Sequence, residues 1–185
     1  MQLKSQNIDK IYYISPRDIR KNRADAVHIM YSCAAFSNNG IKVELLAPKV
    51  KRDNYKTKNN DIFSLYDVPK NFTITELKTR INEVNNKSSF LTLTLNKFIF
   101  HLIFILQNIS KLKNKKTIIY SKCYISTLPY ILIKKTGLIK CKLVFETPFL
   151  KNNAFHKFII KKMDAVVTMT KYVENILKDE FNISL

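Results

Sequence analysis

The sequence predicts an α/β domain: one doubly wound, mainly parallel sheet of about six strands, flanked by helices. Three observations lead there. Short apolar runs alternate with amphipathic helical segments along the chain, and no hairpin signal joins any two of the runs. The only two glycines, Gly40 and Gly137, each stand just past a helical segment and ahead of an apolar run. With 185 residues, 46% hydrophobic and including 12 Phe and 9 Tyr, the chain suits one large domain over 1–185 or one half of a two-domain protein. Parallel strands need right-handed crossovers, and the strand order 3-2-1-4-5-6 is the natural solution.

Taken in order, residues 11–14 (Ile-Tyr-Tyr-Ile) form a buried strand that stops at Ser15-Pro16. The charged loop Arg17-Asp18-Ile19-Arg20-Lys21-Asn22-Arg23 then feeds a helix opening at Ala24. Its spacing puts Val27, Met30, Tyr31 and Ala34 on the inner face. The helix ends at Asn38-Asn39-Gly40, where glycine can take the left-handed conformation. Residues 41–47 read as a second strand closed by Pro48. A lysine-rich loop follows (Lys49, Lys51, Arg52, Lys56, Lys58), with a short helix near 61–67. Residues 71–77 alternate and read as a third strand, and 85–89 as a polar linker.

Residues 90–109 are the most apolar segment, long enough to span a membrane. Asn96, Lys97 and His101 sit mid-segment, however, and one central lysine costs about 2.5–3.5 kcal/mol on insertion. A buried or membrane-facing helix is therefore expected, with His101 a hydrogen-bonded core residue. Residues 117–120 form a fourth strand and 124–136 a helix capped by Gly137; a fifth strand covers 141–145. A helix over 149–163 places Phe155, Phe158, Ile159 and Met163 on one side. Residues 165–169 are the last strand and 172–180 the last helix.

Charge and composition narrow the function. Lys+Arg number 32 against 14 Asp+Glu, a formal +18, which favours an anionic partner, although a lysine-rich coding bias would account for part of it. Two glycines cannot make a Gly-x-Gly-x-x-Gly or Walker-type loop, so those nucleotide motifs are excluded. Cys33, Cys123 and Cys141 show no paired spacing. With no hydrophobic leader, the chain reads as cytoplasmic, with reduced and inert thiols. His28, His101 and His156 are too dispersed for a metal site, and there is no Ser-His-Asp set.

In a parallel sheet the residues after each strand converge on one edge. Here these are Ser15, Arg17 and Asp18; Pro48 and Lys49; Ser121 and Lys122; Glu146 and Thr147; Thr170 and Lys171. A cationic rim at helix N-termini suits a phosphate or sugar-phosphate, though loop ends are polar in any soluble protein. The loop residues Arg17, Asp18, Lys21, Asn22 and Arg23, with His28, Ser121, Lys122, Thr147 and Thr170, are the candidate acceptor- or phosphate-binding set. Glu146 is the candidate catalytic residue. It follows a run that should be buried, so its carboxylate needs either a structural hydrogen bond or a ligand. His28, one turn into the first helix, could reach the crevice or lie in solvent.

Several of these segments together resemble the N-terminal domain of family-4 glycosyltransferases of the GT-B fold. They are Ile11–Pro16, Arg23-Ala24-Asp25-Ala26-Val27-His28 and Phe36-Ser37-Asn38-Asn39-Gly40-Ile41-Lys42-Val43-Glu44-Leu45-Leu46. Ile119-Tyr120-Ser121-Lys122, Leu143-Val144-Phe145-Glu146-Thr147 and Asp164-Ala165-Val166-Val167-Thr168-Met169-Thr170 complete the set. The resemblance implies a Rossmann-like, acceptor-binding half of a retaining, metal-independent enzyme of cell-envelope saccharide biosynthesis. It implies no cofactor beyond a nucleotide-sugar co-substrate, held mainly by a C-terminal donor domain or subunit whose Glu-x7-Glu motif is absent here. The implied partners are a saccharide or lipid-linked acceptor and an anionic membrane surface, and the implied location is peripheral on the inner face of the membrane. Two departures stand out: relatives often carry Glu-x-His where this chain reads Glu146-Thr147-Pro148, and Lys21-Asn22-Arg23 replaces a glycine-rich turn. The alternative is a non-enzymatic basic module for nucleic acid or anionic membrane, against which no nucleic-acid recognition motif is present.

Overall fold

The strands are held by their alternation. A computed structural model describes residues 8–15, 19–20, 23–49, 61–78, 90–147 and 154–181. Its strands are β1 (Lys10–Ile14), β2 (Lys42–Lys49), β3 (Thr73–Lys78), β4 (Thr117–Ser121), β5 (Lys142–Thr147) and β6 (Ala165–Thr168). They make one six-stranded sheet in the order β3-β2-β1-β4-β5-β6, as expected. Each adjacent pair is parallel, with Tyr13 opposite Leu45 and Tyr120, and Ser121 opposite Phe145.

Parallel register sends matching residues to the same side. Ile11, Tyr13, Val43, Leu45, Ile118 and Tyr120 pack under helix α1 (Ala24–Asn38) and the short α2 (Ile62–Leu65). Tyr12, Ile14, Leu46, Ile119 and Leu143 face the other layer. That layer holds α3 (Phe90–Gln107), α4 (Ile109–Leu112), α5 (Tyr124–Lys135) and α6 (Ala154–Ile160). Helix α7 (Lys171–Phe181) joins it through a smaller cluster of Phe145, Ile160, Val173 and Leu177. Gly40 and Gly137 hold positive φ of 80° and 77° past α1 and α5, as their helix-stop role requires.

Several expectations are corrected. The buried stripe of α1 is Ala26, Ile29, Met30, Cys33 and Ala34, rotated from the expected one, so Tyr31 points out, 53% exposed. Small Ala26 and Cys33 let the helix lie close on the sheet, which the large-residue spacing did not reveal. Pro48 does not close β2; pairing continues through Lys49 opposite Lys78. In α6 the inner residues are His156, Ile159 and Ile160, and Phe155 and Phe158 are exposed. β5 runs two residues further than expected, so Glu146 and Thr147 are its last residues and not a loop. The cationic loop over 50–60, the linker over 85–89 and the helical start over 149–153 lie outside the described residues.

His101 is the core residue that its sequence suggested: it is buried, and its Nδ1 is hydrogen-bonded with the Tyr130 hydroxyl at 3.3 Å. Burial, aided by the Lys97 ammonium, pushes its imidazole down to about 3. The unfolded ring titrates near 6.5, so below that pH the unfolded chain binds the extra proton and stability falls with falling pH. This residue should cost about 2 kcal/mol between pH 7 and pH 5. His101→Gln keeps a hydrogen-bonding partner for Tyr130, and urea unfolding of that variant should lack this portion of the acid sensitivity.

Candidate functional site

Because β1, β4 and β5 are parallel and adjacent, their last residues meet at one carboxyl edge. Tyr13 and Tyr120 sit opposite each other in β1 and β4, on the α1 face; Glu146, two residues past Val144, which pairs with Tyr120, shares that face. The tyrosine rings stack with centroids 4.8 Å apart and turn both hydroxyls to one oxygen of Glu146. Tyr120 donates to Oε2 at 2.8 Å and Tyr13 to the same atom at 3.4 Å. The other oxygen, Oε1, faces Lys122 Nζ at 2.8 Å and His28 Nε2 at 3.4 Å. The carboxylate is 3% exposed, with two phenols on one oxygen and the lysine and imidazole beside the other.

The same contacts fix the His28 tautomer. Lys122 Nζ lies 2.7 Å from Nδ1, which must accept because the ammonium has only hydrogens to give. Nε2 then carries the ring hydrogen, 3.4 Å from Glu146 Oε1. Ser32, one turn on, stands 3.2 Å from Nδ1. The His28 side chain is 36% exposed, and that of Lys122 17%. Glu146 is thus the buried anchor, and His28 and Lys122 are the more exposed groups that it holds at the carboxyl edge. Burial first, and the Glu146 carboxylate second, hold the Tyr13 and Tyr120 phenols well above the ordinary tyrosine range, so both remain donors.

The sheet separates the other predicted residues. Ser121 and Thr147 are fully buried on the opposite face, in register with Ile14 and Thr168. Ser121 Oγ accepts from Cys123 N at 3.1 Å at the entry to α5, a structural task. Thr170 is exposed and its Oγ1 accepts from Val173 N, capping α7 away from the cluster. Arg23 precedes α1 and faces Asp25 at 3.7 Å. Arg17, Asp18, Lys21 and Asn22 lie outside the described residues. Between them Ile19 is buried, accepting from the Tyr66 hydroxyl at 2.5 Å, and Arg20 pairs with Glu76 of β3. Ile19 and Arg20 are therefore each tied to a neighbouring element at this edge.

Tyr13 and Tyr120 were missed as site residues because each sits in an apolar run and reads as core. Their signal was register: once the order β1-β4-β5 is assumed, two tyrosines and Glu146 fall on one face. Among the described residues, no group of three or more His, Cys, Asp or Glu could hold a metal ion.

No protein-family model and no curated protein matches this chain. Solved structures do. A sucrose-phosphate synthase from Thermosynechococcus elongatus superposes with TM-score 0.57 at 9% identity, covering 92% of this chain and 82% of that one. The apo form of the lipopolysaccharide outer core galactosyltransferase WaaB superposes with TM-score 0.56 at 14% identity, covering 95% of this chain. The present chain spans 43% of the galactosyltransferase. Both neighbours are glycosyltransferases of the GT-B fold, and this chain shares a Rossmann-like α/β fold with them.

Proposed function

We propose that the chain is the acceptor-binding half of a retaining glycosyltransferase. It passes a sugar from a nucleotide-sugar donor to a cell-envelope saccharide or lipid-linked acceptor. The donor is held by a second Rossmann-like domain or subunit, and the chain alone is inactive. One observation carries this reading: a half-exposed imidazole and a lysine are presented at the carboxyl edge of a glycosyltransferase-type sheet by a buried carboxylate. That edge is where open α/β sheets take ligands. His28 and Lys122 are hydrogen-bonding partners for an acceptor hydroxyl or phosphate, and Glu146 is a positioning residue acting through them.

The test is saturation-transfer NMR of the full chain with a lipopolysaccharide core oligosaccharide, phosphorylated and dephosphorylated. Binding is expected, and His28→Ala should weaken it about tenfold, as loss of a hydrogen bond to a polar ligand does. Sugar transfer should appear only when a donor-binding half and a nucleotide sugar are added. No saccharide binding, together with RNA binding that falls steeply with salt, would overturn the reading in favour of a basic binding module. The +18 charge is what keeps that second reading in view.

A further inference from the structure

The amino edge of the sheet, at the other end of the strands from the Glu146 cluster, carries a cavity of about 590 Å³. Lys10, Lys42 and Thr117 open β1, β2 and β4, and register sets Lys10 opposite both of the others. Helix α4 adds Ser110 and Lys111 to the wall. Three lysines thus border one concavity. Lys10 is paired with Glu44 at 2.5 Å. Lys42 and Lys111 are exposed, and among the described residues neither has a carboxylate within ion-pair distance. Lys111 Nζ donates to the neutral Asn108 Oδ1 at 3.2 Å. The acid of this wall, Asp9, already accepts from Asn114 Nδ2 at 3.0 Å and faces Lys116 Nζ at 3.9 Å.

Tyr12 belongs to the same wall. It is wholly buried, and among the described residues its hydroxyl has no hydrogen-bond partner. Burial holds this phenol above the ordinary tyrosine range, so it keeps its proton to donate. A buried donor without an acceptor is costly, and native proteins rarely keep one that no ion, water or ligand answers.

We infer that this cavity binds a small phosphorylated molecule, with Lys42 and Lys111 on the phosphate and the Tyr12 hydroxyl donating from the wall. A phosphate monoester brings close to two negative charges and three acceptor oxygens, which two unpaired ammoniums and a phenol can share. The volume leaves room beyond the phosphate for a body such as a sugar ring. Nucleic acid would use the exposed lysines and leave the concavity and its buried phenol without a role. Strand β1 sets about 13 Å between Lys10 and Ile14, so this site is separate from the carboxyl edge and does not depend on the function proposed there.

The experiment is amide NMR of the full chain titrated with glucose 6-phosphate in phosphate-free buffer, with glucose as the uncharged control. Shifts are expected at Lys42 and over Ser110–Asn114 with glucose 6-phosphate and not with glucose. Read at those amides, Lys42→Gln and Lys111→Gln should each weaken binding about tenfold, the loss of one charge-assisted hydrogen bond. His28→Ala, at the far edge, should leave these shifts as they are. Tyr12→Phe removes a hydroxyl that is unpaired in the free protein. Its urea midpoint should therefore be no lower than that of the parent chain, while binding weakens about fivefold. Shifts scattered over the lysine-rich surface, shifts confined to the His28 edge, or an equal response to glucose would each overturn the proposal. So would full binding by the Lys42→Gln/Lys111→Gln double variant or by Tyr12→Phe. Oligosaccharide binding at the His28 edge is measured separately, so failure here leaves the proposed function standing.

Discussion

Glu146→Ala should lower the unfolding free energy by about 3–5 kcal/mol, the usual cost of breaking a buried pair by removing one member. The substitution leaves Lys122 without its counter-charge and leaves two stacked phenols with nothing to donate to. His28 also loses the oxygen that its Nε2 faces. Glu146→Gln keeps an oxygen for Tyr120, but sets an amide N–H2 against Lys122 or the tyrosines; about 1–3 kcal/mol is expected. Urea unfolding of the two variants measures both. If Glu146→Ala cost under about 1 kcal/mol, the four contacts would not be a stabilising network. Glu146 would then be free to act on a ligand directly, and its assignment as a positioning residue would fall.

The tyrosines give this variant an alkaline signature. Their folded phenols titrate above the unfolded value of about 10, so their contribution is complete below that pH and is lost as pH rises past it. In Glu146→Ala the carboxylate's share of that upward shift disappears, while the larger share from burial remains. The phenolate absorbance of the folded protein should therefore begin to rise at lower pH in the variant than in the parent chain.

How much of this was legible can be read from individual residues. The parallel sheet followed from alternation and crossover handedness, because each segment between strands is long enough for a helix and none is a hairpin; the strand order added to these the usual arrangement of a doubly wound sheet. Glu146 stood out because an acid directly after Leu143-Val144-Phe145 conflicts with burial. Its partners were not legible in the same way. Lys122 and His28 are 94 positions apart and meet only through packing of α1 beside β4. Tyr13 and Tyr120 were hidden by their own hydrophobicity. Ser121 and Thr147 were grouped with Glu146 by position after a strand, but residue parity sends them to the other face. The rotation of α1 could not be read from its large residues, since Ala26 and Cys33 set the contact.

Parity also separates Glu146 from its neighbour. Phe145→Ala should cost about 3–5 kcal/mol, as burial of a whole aromatic side chain is exchanged for a cavity. The loss falls on the opposite face, where Phe145 meets Ile160, Val173 and Leu177 and stacks with Tyr124 at 4.7 Å. Val173 and Leu177 hold α7 to this ring, while α6 is held there by Ile160 and to the larger core by Ile159. β6 adds little, since its residues alternate between exposed and half-buried. Native-state hydrogen exchange of Phe145→Ala should therefore show α7 and β6 opening at much lower free energy than β1, β2 and β4, which keep both of their packed faces. The Glu146 cluster should be intact below that opening, so oligosaccharide binding is unchanged in Phe145→Ala and about tenfold weaker in His28→Ala. Uniform loss of protection across all six strands would show instead that α7 and the sheet unfold as one unit, with Phe145 inside a single core.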